Sequence, residues 1–306
     1  MHNPIADLVV TAARSYVVIG LVAVLLGAAL APYAVGYVQP EDQYVAVVSL
    51  DETITGQTSE ATIRELKSLR QNESVKAVVL KVSSPGGGAA SSEAQYLAVK
   101  RLAEEKPVYT SVDTMAASGA YYTIAPSDEI YVKPGSVVGH VGVISMAPSE
   151  GLPPVVTSGP DKAHGGMTPD EFRASIETMK RGFVGAVMTE RGEQISIPRS
   201  EVAKAKVFIG ARAVETGYAD RIGTVESAIA AAADDAGLSR YEVTYRNPYD
   251  PTRSGILFAS GEGTEDNPAV VTTEADPFGY RGVETVRFLM LYGQPTDQEV
   301  AINASA

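Results

Sequence analysis

Ser118 lies in Met115-Ala116-Ala117-Ser118-Gly119-Ala120-Tyr121-Tyr122, where an apolar run gives way to small residues. The spacing places it at a strand-to-helix junction, beside a helix N-terminus and between neighbours small enough for a substrate to approach. A serine so placed suits nucleophilic attack on a carbonyl. The N–H of Gly119 is then available to the oxyanion, and single donors of this kind contribute about 3 to 4 kcal/mol. A second role is open to the same residue, since a serine before a helix commonly caps it. A partner for the Gly119 N–H comes from Ser83-Ser84-Pro85-Gly86-Gly87-Gly88, directly after another expected strand, where three glycines expose backbone N–H groups with no Cβ in the way. That loop reads either as an anion-binding cradle or as a plain turn. A phosphate loop is excluded, because no Gly-Lys-Ser/Thr follows and the first helix begins some residues later.

Composition removes other chemistries. The chain of 306 residues has no cysteine, which excludes disulfides, thiolate catalysis and Cys-ligated metal centres. Its only histidines are His2, His140 and His164, too few for histidine-rich metal chemistry. A formal charge of −12 without clustered Lys and Arg argues against a nucleic-acid surface. No cofactor or metal is called for.

The segment 15–40 carries no charged residue, and 16–38 is rich in Val, Leu, Ile, Ala and Gly. About 20 apolar helical residues cross a hydrocarbon core, so 15–38 is expected to anchor the chain in a membrane as one uncleaved helix, with Tyr16, Tyr33 and Tyr37 at the interfaces. The run exceeds a typical signal-peptide core. Arg14 before it and Glu41 and Asp42 after it place the bulk of the chain outside the cytoplasm. The expected organisation is an N-terminal tail and anchor over 1–40, a catalytic domain over 41–246 and a flexible tail over 247–306.

Within the domain, Tyr44 to Leu50 and Ala77 to Val82 read as buried strands flanking a helix over Ser59 to Leu69 with a serine cap. Strand, helix and strand at this spacing imply a right-handed crossover and a parallel sheet, with functional loops at the carboxyl ends of the strands. The pattern repeats with a helix over Glu93 to Glu105, a strand over Pro107 to Asp113 and a small-residue helix over Ala117 to Ala125. Short strands follow at Glu129 to Val132 and Val141 to Met146. Thr168-Pro169-Asp170-Glu171 opens a long helix toward Arg191, with a cap, a first-turn proline and acids at the positive end of the dipole. Helices are expected over Ala211 to Thr216 and Val225 to Ala233. From Asn247 to Pro277 the chain is dense in Pro, Gly, Ser, Asp and Glu, and only Val286 to Tyr292 is apolar again.

The order Ser-Pro-Gly-Gly, then Ala-Ala-Ser-Gly-X-Tyr-Tyr, then Gly139 to Ile144 resembles the signal peptide peptidase A family. Arg191-Gly192, Glu201 to Lys206, Gly210 to Ala213 and Gly217 to Gly223 agree with it. The resemblance covers about 44–233. It implies a Clp/crotonase-like α/β core of repeated ββα units. It also implies that Ser118 is the nucleophile, that Lys162, in Ser158-Gly159-Pro160-Asp161-Lys162, is the general base, and that Gly87 and Gly119 form the oxyanion hole. A lysine of ordinary pKa, about 10.4, is protonated and cannot accept the serine proton, so the site must lower it by several units. The chain departs from the family at Gly139-His140-Val141-Gly142, where relatives carry Gly-Ser-Ile-Gly. His140 either orients Lys162 as a neutral acceptor or is itself the base, as in the Clp proteases; lacking a clear orienting carboxylate, the second reading is the weaker.

The resemblance implies a membrane-anchored serine endopeptidase, homo-oligomeric, acting on signal peptides or similar hydrophobic segments through an acyl-enzyme. The competing readings are a membrane Clp-class protease for a specific partner protein, a crotonase-like acyl-CoA enzyme, and a catalytically silent scaffold.

Overall fold

The computed structural model describes residues 16, 19–26, 28–29, 43–145, 166–249 and 289–291. The chain divides into two compact units, 1–43 and 44–306. In the first, residues 19–26 form helix α1, with Ile19, Leu21, Val22, Val24, Leu25 and Leu26 exposed. Among the described residues no helix is long and apolar enough to cross a membrane, and most of the expected span lies outside them.

The second unit is an α/β fold built on a mixed sheet. Its elements are β1 (Tyr44–Leu50), α2 (Gly56–Gln71), β2 (Val75–Ser84), β3 (Gly86–Gly88), α3 (Ala89–Ala103), β4 (Val108–Ala117) and α4 (Gly119–Ile124). They continue with β5 (Glu129–Val132), β6 (Val137–Gly139), α5 (Pro169–Arg191), α6 (Arg199–Val202), β7 (Val207–Ile209) and α7 (Gly210–Thr216). Last come β8 (Arg221–Ile222), α8 (Val225–Asp235), β9 (Glu242–Arg246) and β10 (Leu289–Leu291). The main sheet runs β7-β6-β4-β2-β1-β9, with β5 and β8 branching from β4. Pairing is parallel except between β6 and β7, so the expected parallel sheet acquires an antiparallel edge.

Strands buried on both faces need apolar residues at successive positions, and β1 shows it. Ala46 and Val48 enter the core beneath α2, α3 and α4, while Val45 and Val47 pack on the opposite face with Ala228, Ile229 and Ala232 of α8. The β4 strand runs four residues beyond the expected Asp113 and ends at Ala117, immediately before Ser118. Helix α2 begins earlier than expected: its cap is Thr55, in a capping box with Thr58, whereas Ser59 is buried and donates its hydroxyl to the Ser91 carbonyl at 2.9 Å. Helix α5 starts as expected, with Thr168 capping and Glu171 returning the bond. The strand expected at Val141 to Met146 lies instead at Val137–Gly139, in register with Met115–Ala117 of β4.

Two aromatic stacks hold α4 in place. Tyr122 lies between Tyr96 of α3 and Phe183 of α5, with ring centroids 4.7 and 4.6 Å apart. Such pairs contribute about 0.5 to 1.5 kcal/mol beyond the area they bury.

Candidate active site

Ser118 occupies the one-residue elbow between β4 and α4. Its φ of 54° and ψ of −119° belong to a region that a non-glycine residue seldom adopts, at a cost of about 1 to 3 kcal/mol. The elbow is held from both sides: the Ser118 N–H donates to the Gly139 carbonyl at 2.7 Å, and the Ser118 carbonyl accepts from the Tyr122 N–H at 3.0 Å. The side chain makes no cap bond to α4, so capping is not its role. Its Oγ is buried and has no hydrogen-bond partner among the described residues. A buried hydroxyl without a partner carries a desolvation cost of about 1 to 3 kcal/mol. Backbone strain and a buried hydroxyl without a described partner at the same residue fit a reactive group.

Gly119 is the first residue of α4, and its N–H is among those no intrahelical carbonyl can reach. The glycine loop forms β3 and is tied down on one side. The Ile54 N–H donates to the Gly86 carbonyl and the Gly88 N–H to the Ile54 carbonyl, both at 2.8 Å, while Ser84 Oγ donates to the Glu52 carbonyl at 2.6 Å. Alternate strand residues turn their polar groups to opposite sides, so the N–H of Gly87 faces away from Ile54. Only glycine fits there, because a Cβ on Gly87 would lie 2.0 Å from the Ile54 carbonyl oxygen. Helix α4 lies beside β3.

His140 follows the residue that accepts the Ser118 N–H. It has a φ of 59°, and its N–H donates to the Lys206 carbonyl at 2.8 Å. Burial pushes the imidazole pKa below its ordinary value, favouring the neutral ring. Lys162 lies outside the described residues, as does the loop that carries it. Among the described residues no cluster of His, Asp or Glu could hold a metal ion.

Sequence reasoning singled out Arg191 and Asp220 as pattern residues without a role, and the structure brings them together. Arg191, 1% exposed, donates through one guanidinium nitrogen to both Asp220 oxygens at 2.8 and 2.9 Å. Asp220 also accepts from the Ile130 N–H at 2.7 Å, and Tyr121 of α4 donates to the Tyr218 carbonyl at 3.0 Å. The network therefore joins α5, β5 and the turn after α7 to the helix behind Ser118. Distance in sequence hid it, since 29 residues separate the paired charges.

Ser118 thus sits at an elbow before α4, and α4 lies beside the glycine-lined strand β3. Residues 100–149 and 164–239 match the model of Peptidase family S49. Over 238 residues the chain is 29% identical to Protease 4 of Salmonella typhi, covering 72% of this chain and 38% of that protein. It is 28% identical over 223 residues to a putative protease of Synechocystis sp., covering 68% and 79%. It is 30% identical over 185 residues to a putative signal peptide peptidase SppA of Enterococcus faecium, covering 55% and 53%. A solved structure of a ClpP1 mutant from Listeria monocytogenes aligns with a TM-score of 0.45 at 12% identity, covering 60% of this chain and 94% of that one. The family-model match and the relatives named Protease 4 and SppA support the signal peptide peptidase A family, peptidase family S49, for this chain. It spans well under half the length of the Salmonella relative and about half that of the Enterococcus one.

Proposed function

We propose that the protein is a serine endopeptidase of Clp/crotonase-like fold, held at a membrane by residues 15–38, that hydrolyses signal peptides or similar hydrophobic segments. The observation that carries this reading is the Ser118 Oγ, buried and without a hydrogen-bond partner among the described residues, in a strained elbow at the start of α4. Ser118 Oγ attacks the scissile carbonyl and passes its proton to the neutral amine of Lys162. The N–H groups of Gly87 and Gly119 hold the oxyanion. Collapse breaks the C–N bond as Lys162 returns the proton to the leaving amine, leaving an ester on Ser118. Water then attacks the ester carbonyl, losing a proton to Lys162, and Lys162 passes that proton to Ser118 Oγ as the C–O bond breaks and the carboxylic acid product leaves. His140, neutral through burial, orients the lysine amine.

The match to Peptidase family S49 supports the peptidase class, the exposed apolar residues of α1 favour a membrane anchor, and Arg14 before the apolar run with Glu41 and Asp42 after it favours an extracytoplasmic catalytic unit. Val207 and Ile209 on the edge strand β7 are exposed and suit contact between copies in a homo-oligomer. The test is hydrolysis of an internally quenched hydrophobic peptide. Ser118→Ala and Lys162→Ala should each abolish it, and the double variant should be no worse, because residues acting as a unit are non-additive. Near-normal turnover in Lys162→Ala with loss in His140→Ala would reassign the base to histidine.

A further inference from the structure

Strand β9 closes the end of the main sheet opposite β7, and among the described residues β1 is the only strand it pairs with. Its outer edge therefore presents unpaired backbone N–H and C=O groups, which invite a further strand. Proline, a bulge or a covering element commonly blunts such an edge. This strand has no proline, keeps unbroken register with β1 from Glu242 to Arg246, and is exposed at four of its five residues. Val243 and Tyr245 lie on the α8 side, beside Val45 and Val47, with Tyr245 65% exposed. Glu242, Thr244 and Arg246 lie on the opposite side, beside Tyr44, Ala46 and Val48. Arg246 makes one long ion pair there, 3.8 Å to Glu65 of α2, and its side chain stays 46% exposed.

The five residues Glu242-Val243-Thr244-Tyr245-Arg246 complement themselves when read in the opposite direction. Two copies set antiparallel about a twofold axis through Thr244 bring Glu242 opposite Arg246, Val243 opposite Tyr245 and Thr244 opposite its counterpart. Directly opposed side chains share a face, so both Glu–Arg pairs fall on the α2 side and both Val–Tyr pairs on the α8 side. Opposite charges, an aromatic against a β-branched residue, and paired threonines are all combinations that stabilise an antiparallel ladder. Neighbouring registers lack this match. An axis through Val243 sets Glu242 against Thr244 and Arg240 against Arg246, while an axis through Tyr245 sets Arg246 against Thr244. Charges on an edge deter pairing where like meets like, and here only the Thr244 register joins opposite signs. With a formal charge of −12, copies of the chain repel one another at long range, so a contact between them must match charges locally.

We propose that β9 is a homodimer contact: two copies pair their β9 strands antiparallel about a twofold axis through Thr244, and the two main sheets continue into one. The contact is isologous, each copy offering Glu242 to Arg246 of the other. It uses the opposite end of the sheet from the exposed strand β7 and is independent of the chemistry at Ser118. An assembly built on it contains an even number of copies.

Because the chain has no cysteine, one introduced thiol per copy reports the axis. The experiment uses the full chain in detergent micelles. Thr244→Cys places the two thiols on residues whose Cα atoms are about 4.5 to 5.5 Å apart, within disulfide reach. Asn247→Cys, three positions from the axis, places them about 20 Å apart. Mild oxidation should therefore convert Thr244→Cys to a disulfide-linked dimer roughly tenfold or more faster than Asn247→Cys. Equal rates overturn the proposal, as does the absence of a dimer from Thr244→Cys protein that keeps the parent's circular dichroism. Covering of the edge by another segment of the chain, or pairing of β9 with β7 of a second copy, would give that absence. Charge reversal then tests the register. In the Thr244→Cys background, Glu242→Arg and Arg246→Glu should each slow dimer formation about tenfold, since each sets like charges opposite one another twice. An equimolar mixture of the two variants should recover the parent rate to within about threefold, with the mixed dimer as product. A mixture no faster than its components, or single variants as fast as the parent, would overturn the pairing of Glu242 with Arg246.

Discussion

Replacing the proposed nucleophile with glycine should make the protein more stable. At φ 54° and ψ −119° the Ser118 backbone stores about 1 to 3 kcal/mol that glycine does not incur. Its Oγ, buried without a described partner, adds a desolvation cost of about 1 to 3 kcal/mol that also disappears. Against these stands the larger unfolded-state entropy of glycine, about 0.5 to 1 kcal/mol. The sum favours Ser118→Gly by about 1 to 5 kcal/mol. In a unit of this size each kcal/mol raises Tm by about 2 to 4 °C. Ser118→Ala keeps the backbone strain and loses only the hydroxyl, so it should gain less than Ser118→Gly. The assay is denaturant unfolding of the three proteins at one pH, with midpoints and slopes compared. A Ser118→Gly protein less stable than the parent by more than about 1 kcal/mol would refute the strain argument, since no cavity larger than one hydroxymethyl is created.

Gly87→Ala should reduce peptide hydrolysis by about 10² to 10³, because its Cβ meets the Ile54 carbonyl at 2.0 Å and displaces an oxyanion donor; activity within threefold of the parent would count against Gly87 in that role. Arg191→Lys should cost about 1 to 3 kcal/mol, since an ammonium cannot reproduce the planar guanidinium contact to Asp220, and Arg191→Ala about 3 to 5; unfolding midpoints unchanged in both would show the pair to be dispensable. His140, whose pKa burial lowers, should contribute an acid limb to stability. Below the unfolded value of about 6.5 the unfolded chain binds the proton more readily than the folded one, so stability falls with pH until the folded pKa is passed, and above about 6.5 the residue contributes no slope. His140→Asn, which tolerates the positive φ, should flatten that limb in unfolding measured between about pH 5 and 7.

Two buried strands were legible residue for residue, whereas β2 and β4 run beyond their expected limits. Tyr44–Leu50 and Glu129–Val132 match their expected limits, because continuous apolar, β-branched runs have few other solutions. The position of Ser118 between a strand and a helix was legible for the same reason. What was not legible depended on partners distant in sequence. Val141 and Val143 are apolar because they pack on the core, while the pairing falls on Val137–Gly139, where β4 extends to meet it. Strand β7, Val207-Phe208-Ile209, is only three residues long and exposes Val207 and Ile209, and antiparallel pairing with β6 defines it. The cap of α2 was misplaced by four residues because Ser59 and Thr55 are both good cap residues, and only the reciprocal Thr58 bond selects Thr55. The backbone strain at Ser118 left no mark in its residue type. The apolar stretch at Val286 to Tyr292 was visible as a pattern, but the strand edge it pairs with was not.

The most direct measurement of the central claim is covalent labelling by a serine-reactive fluorophosphonate, with the modified residue located by peptide mass spectrometry. The expected result is a single adduct on Ser118, formed faster as pH rises through the range where Lys162 loses its proton, and at least a hundredfold slower in Lys162→Ala. An unlabelled Ser118, or equal labelling of several serines, would contradict it.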